Sequence, residues 1–203
     1  MGYASVLAFV VLLGASMVLY PGGTWTDTGT TSYRFFENFF CDLTHETGLN
    51  GLPNRGAIYA KAALVAMAPG LFVFYLALSR SFAEGASKRT SAVRGMGTLS
   101  AVALVFVPLT PSDHFAALHT VASLAASVAG LVALGVYAVG SGGSLRRGWP
   151  AFGLLAIVSI DVVLYVQQVR TNGPTPILLP ALQKVAALWL LAWMLALFRP
   201  RSA

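Results

Sequence analysis

"AIYAKAALVAMAPGLFVFYLALS", residues 57–79, carries a single charged side chain, Lys61, from end to end. At 1.5 Å of rise per residue, a helix of this length covers the roughly 30 Å hydrocarbon core of a bilayer. Working outward from it, further apolar runs fall at roughly 3–21, 95–110, 114–138, 150–169 and 177–198. The run at 95–110 is the shortest and slightly polar. The first run has no basic segment before it and no small-residue cleavage pattern after it, and it ends at Tyr20-Pro21-Gly22-Gly23. It reads as a retained helix and not as a cleaved signal. The connecting segments are short except for 22–56, and neither internal repeats nor a second domain is visible. Irregular backbone is not tolerated against lipid. The expected fold is therefore all-α: a polytopic membrane protein, one domain over 1–203, built as a bundle of six transmembrane helices.

Composition agrees. The chain is 57% hydrophobic and 10% charged, with mean hydropathy +0.73, against about 25% charged residues in a soluble domain. The net charge of +6 would suit nucleic acid, but its distribution argues for topology instead. Arg80, Lys88, Arg89 and Arg94, then Arg146 and Arg147, then Arg199 and Arg201 all fall on one side of a six-helix arrangement. The positive-inside rule places that side, and both termini, in the cytoplasm of a cell-membrane protein. No nucleic-acid partner is expected. Asp27, Glu37, Asp42, Glu46 and Asp113 gather on the opposite, outer side with His45, His114 and His119, while Glu84 is cytoplasmic and Asp161 lies mid-membrane. With one cysteine, Cys41, no disulfide forms within the chain.

The long outer segment contains "RFFENFFCDLTH", residues 34–45. At 3.6 residues per turn, Arg34, Glu37, Asn38, Cys41, Asp42 and His45 share one helical face, opposite Phe35, Phe36, Phe39, Phe40 and Leu43. Residues 32–45 are thus expected as a short amphipathic helix at the interface, capped by Thr30, Thr31 or Ser32. Its polar face either meets water or turns onto the mouth of the bundle.

Other helices add polar groups at that mouth. "PLTPSDHFAALHT" opens the fourth run, with Ser112 or Asp113 as cap, His114 at the mouth, and His119 in line with Ser112, Ser123 and Ser127. Asp161, Tyr165, Gln168 and Asn172 form one stripe of the fifth run. A mid-bilayer carboxylate must be paired, protonated or hydrated, and Lys184 or Lys61 is the expected partner of Asp161 or Glu37. Together these define a polar cavity open to the outer face.

The segment Glu37-Asn38-Phe39-Phe40-Cys41-Asp42-Leu43, the Pro108 to His114 opening of the fourth run and Leu182-Gln183-Lys184 at the last one resemble the DUF998 family of six-helix membrane proteins. More distantly they resemble the Frag1/DRAM/Sfk1 group. The resemblance covers most of the chain. It implies a six-helix membrane fold and, through the distant group, a link to lipid. The chain departs from transmembrane hydrolases of the ceramidase and adiponectin-receptor kind, because its last run holds no histidine where those carry two metal ligands.

Two functions compete. One is a hydrolase or other enzyme acting on a membrane lipid or lipid-linked substrate, with Glu37, Asp42, His45, Asp113, His114 and His119 as candidate acids and bases. Asn38, Lys61, Asp161, Gln168, Arg170 and Lys184 would then bind substrate. A divalent metal such as zinc would fall to Asp42, His45 and His114, although no H-x-x-x-H or C-x-x-C spacing supports it. The other is a lipid- or small-anion-binding or transport protein, or a subunit of a homo-oligomer or larger membrane complex.

Overall fold

The computed structural model describes residues 1–82, 86–140, 145–171 and 178–199. Glu84, Asn172 and Arg201 lie outside the described residues, as do the side chains of Arg146 and Arg147. The fold is all-helical: α1 (Gly2–Leu19), α2 (Ala57–Ser79), α3 (Ser87–Phe106), α4 (Ser112–Gly140), α5 (Leu145–Thr171) and α6 (Leu178–Phe198), with a 3-10 turn at Cys41–Thr44. Five of these, α1, α2, α4, α5 and α6, are long and apolar enough to cross a membrane. The third helix is different. Ser87, Lys88, Arg89, Thr90 and Arg94 fill its first two turns, so it begins well before the apolar run at 95–110 does.

Neighbours in sequence are neighbours in space. Each helix packs on the next, and α6 returns to touch α1, so the ring closes. The Tyr3 hydroxyl of α1 donates to the Leu195 carbonyl near the end of α6, at 3.0 Å. Ser100 Oγ of α3 donates to the Ala126 carbonyl of α4 at 2.7 Å. The second helix is the innermost, touching α1, α3, α4 and α6, with Ala60, Ala63, Phe74 and Leu78 almost wholly buried. Close approach depends on small residues. A side chain at Gly97 would strike the Tyr75 ring, and one at Gly130 would strike the Tyr75 hydroxyl. The outside of the bundle is apolar, with Val11, Val18, Val102, Val163 and Leu188 exposed, as a lipid-facing surface requires.

Residues 20–56 fold over one end of this bundle, the loop end. Gly22 (φ 117°) and Gly23 (φ 87°) take left-handed conformations there, which residues with a Cβ rarely adopt. The helix expected over 32–45 does not form; only Cys41–Thr44 turns, as 3-10. The cause is local competition for backbone N–H groups. Asn38 Oδ1 accepts from the Arg34 N–H at 3.0 Å, and Asp42 Oδ2 accepts from the Phe39 N–H at 2.8 Å. Thr30, one of the expected caps, accepts from the Gly23 N–H through its hydroxyl instead, at 2.9 Å.

Candidate functional site

Lys184 leads the loop-end site. It sits in the second turn of α6 and is fully buried. Its ammonium donates to the Asn38 carbonyl and lies over three rings: Phe40 at 4.5 Å, Tyr33 at 5.6 Å and Phe35 at 5.9 Å from the centroids. Ring faces attract a cation, most strongly where water is excluded. The neighbouring Gln183 accepts from the Phe40 N–H through Oε1 at 2.8 Å. So α6 grips the loop by two adjacent side chains.

Asn38 and Asp42 brace the loop from within. Both are fully buried. The Asn38 amide donates to the Gly23 carbonyl at 2.8 Å and to Asp42 Oδ2 at 3.3 Å. Asp42 Oδ1 accepts from Trp25 Nε1 at 3.1 Å. Burial pushes the Asp42 carboxyl above the ordinary carboxylate range, against the pull of its donors Phe39, Asn38 and Trp25. Burial likewise raises the Tyr33 hydroxyl, and it pushes the Cys41 thiol up to about 12, helped by the Asp42 charge and opposed by Lys184. Asn38, Asp42 and the Tyr33 hydroxyl thus hold the loop together through hydrogen bonds within it.

A second cluster joins the loop to α2 and α4. His45, almost buried, places Nε2 2.6 Å from Ser112 Oγ. Asp113 Oδ2 accepts from the Glu46 N–H at 2.8 Å, so this carboxylate binds the loop and not the start of its own helix. Glu46 reaches Lys61 at 3.6 Å and His114 Nε2 at 3.3 Å, and His114 is 3.8 Å from Asp113. Glu46 was not among the candidates read from sequence, yet it connects three of them. No local spacing reveals it, because its partners come from two distant helices. The backbone breaks from helix at Phe115 (φ −132°, ψ 50°), which sets Ser112–His114 apart from the rest of α4.

The remaining candidates scatter. His119 Nδ1 pairs with the Thr110 carbonyl at 2.9 Å. Glu37 and Gln168 are part-buried, and Arg170 is exposed. Asp161 does not meet Lys184. Its Oδ1 is covered by protein and bonds to nothing among the described residues, while Lys184 points to the loop. Nor do the proposed metal ligands converge: Asp42 is bound by Trp25, Asn38 and Phe39, His45 by Ser112, and His114 by Glu46. Among the described residues no three His, Cys, Asp or Glu side chains are placed to hold a metal ion.

The open space lies deeper. A cavity of about 380 Å³ runs inside the bundle, with Phe9, Leu71, Leu104, Ser127, Val158 and Leu190 contributing one wall from each of the six helices. Ser100, Ser123 and Tyr75 add hydroxyls to an otherwise apolar lining. Ser123 and Ser127 of the serine stripe line the cavity, Ser127 from an exposed position, while Ser112 and His119 do not. Between Leu64 and Tyr75 the cavity follows α2 for about 16 Å. It is an apolar, elongated space and not the polar mouth expected from sequence. No family model, curated protein or solved structure matches the chain.

Proposed function

We propose that this protein binds a single lipid chain within its bundle. The carrying observation is the cavity of about 380 Å³ with a wall from every helix. That size falls in the range of small-molecule pockets, and an apolar lining with few hydroxyls suits an alkyl chain. In this reading α3 crosses the membrane beside α2 and α4, so the bundle has six spans. The basic ends of α3 and α5 face the cytoplasm of the cell membrane, and the folded 20–56 segment covers the outer end as a lid stapled by Lys184. Membership of the DUF998 group belongs to the same proposal. Binding for transport or presentation of lipid accounts for the polar loop-end residues as structural parts of the lid.

Lipid hydrolysis is the second reading, favoured by one contact. Nε2 of His45 lies 2.6 Å from Ser112 Oγ, a distance at which a base can take the proton of a nucleophile. Ser112→Ala separates the readings. It abolishes a hydrolase and leaves a lipid binder intact.

The binding reading is tested by mass spectrometry of the purified protein under native conditions. Wild-type protein should retain one lipid mass after delipidating washes. Ala187→Trp, which fills the cavity from α6, should lose it. Equal retention by both would contradict the proposal.

A further inference from the structure

The cavity is sealed on one flank of α4 and uncovered on the other. Toward α3, Ser100 donates to the Ala126 carbonyl at 2.7 Å, and His119 meets the Thr110 carbonyl at 2.9 Å just beyond that helix. Toward α5 the seal stops short. Gly148, Ala151 and Leu154 of α5 are buried, and Trp189 of α6 donates to the Pro150 carbonyl at 2.9 Å, all in the half away from the loop. From Leu155 to Thr171 none of the side chains described is buried, and on α4 none is from Ser112 to Val128. Ser123, Ser127 and Val158 line the cavity from these uncovered halves, and Ser127 is itself exposed. The cavity wall therefore reaches the lipid-facing surface between α4 and α5.

The depth of the cavity suits the membrane on that side. Leu64, the first α2 residue in its lining, lies seven residues into the helix, about 10 Å below the helix start and inside the roughly 15 Å of hydrocarbon in one leaflet. The lining offers little to a head group, since Ser100 gives its proton to the Ala126 carbonyl and Ser127 to the Ser123 carbonyl. The loop end is covered by the buried Asn38, Asp42 and Lys184.

We infer that the cavity is loaded from the side, and that its occupant is one acyl chain of a bilayer phospholipid. The lipid stays in the loop-side leaflet with its head group at the interface. Its chain passes between the loop-side halves of α4 and α5, toward Leu134 and Tyr75, and the lid stays shut. The inference rests on the chain-binding reading and adds the class of lipid and its route.

The test reconstitutes the protein in phosphatidylcholine vesicles containing phosphatidylcholine with a diazirine at the end of one acyl chain. After irradiation, adducts are mapped by peptide mass spectrometry. Leu71 and Tyr75 are buried from the surface and line the cavity, so only a chain inside the bundle labels them. Wild type should carry adducts there. Ser127→Phe, which adds a ring at the exposed rim, should lose them. Val128→Phe, exposed and outside the lining, should keep them and so controls for folding. Lys184→Met should not speed their appearance. Adducts that Ser127→Phe leaves in place, or that Lys184→Met accelerates, overturn side loading while chain binding stands. Absence of adducts from wild type overturns the phospholipid assignment; chain binding falls with it only if native mass spectrometry also finds no lipid that Ala187→Trp displaces.

Discussion

Lys184 and Asn38 are joined across 146 residues of sequence, the ammonium of α6 donating to a carbonyl in the middle of the loop. This contact decides what the polar groups at the loop end are for. Asn38, Asp42 and Lys184 are each completely buried, and each spends its polar atoms on its neighbours. They make a lid.

Removing the ammonium should loosen that lid. Lys184→Met keeps an apolar stem among Tyr33, Phe35 and Phe40 but leaves the Asn38 carbonyl with only the long bond from the Tyr33 hydroxyl, at 3.5 Å. A buried group left unsatisfied costs about 1–3 kcal/mol. The expected result is a lower thermal midpoint and faster proteolytic cutting within 22–56. Unchanged cutting would show that the loop does not depend on Lys184.

Lys184 and Asp161 should act independently, since they share no partner. Measured singly and together, Asp161→Asn and Lys184→Met should add to within about 0.5 kcal/mol, as expected of uncoupled sites. A larger coupling would put the two groups in contact.

Cys41 should be slow to alkylate at neutral pH and fast once the protein is denatured, because the thiolate is the reactive form and the folded thiol is held at about 12. The same shift has a consequence for stability. Between the ordinary value of 9.0 and about 12, the unfolded chain releases a proton that the folded one keeps. Stability is therefore unaffected below that window and falls as pH rises through it. Cys41→Ser should flatten this part of an alkaline unfolding profile.

Sidedness can be read in intact cells. With 22–56 outside, a cysteine at Gly29 in a Cys41→Ser background should react with an impermeant thiol reagent, and one at Ser87 should not. The reverse pattern would invert the topology.

The helices were legible in the sequence where apolar runs are sharply bounded. The run at 57–79 coincides with α2, Ala57–Ser79. The signal fails at amphipathic starts: the Ser87–Arg94 turns of α3 are helical but polar. It fails again at 32–45, where the periodicity of Arg34, Glu37, Asn38, Cys41, Asp42 and His45 was real but irrelevant. There, Asn38 and Asp42 used their side chains to capture backbone N–H groups that a helix would have needed. That Lys184 belongs near the loop was visible from its position at the start of the last run. That it would prefer a carbonyl and three rings to a carboxylate was not, since the partners lie far off in sequence. Asp161 stood out as the costliest residue, and its Oδ1 stays without a partner among the described residues.

Whether the cavity holds a lipid chain is answered by an experimental structure of the protein in a lipid bilayer disc. Continuous elongated density is expected between Ser123 and Leu134, walled by Val158 and Leu190. Helices that instead close together and fill this space with their own side chains would contradict it.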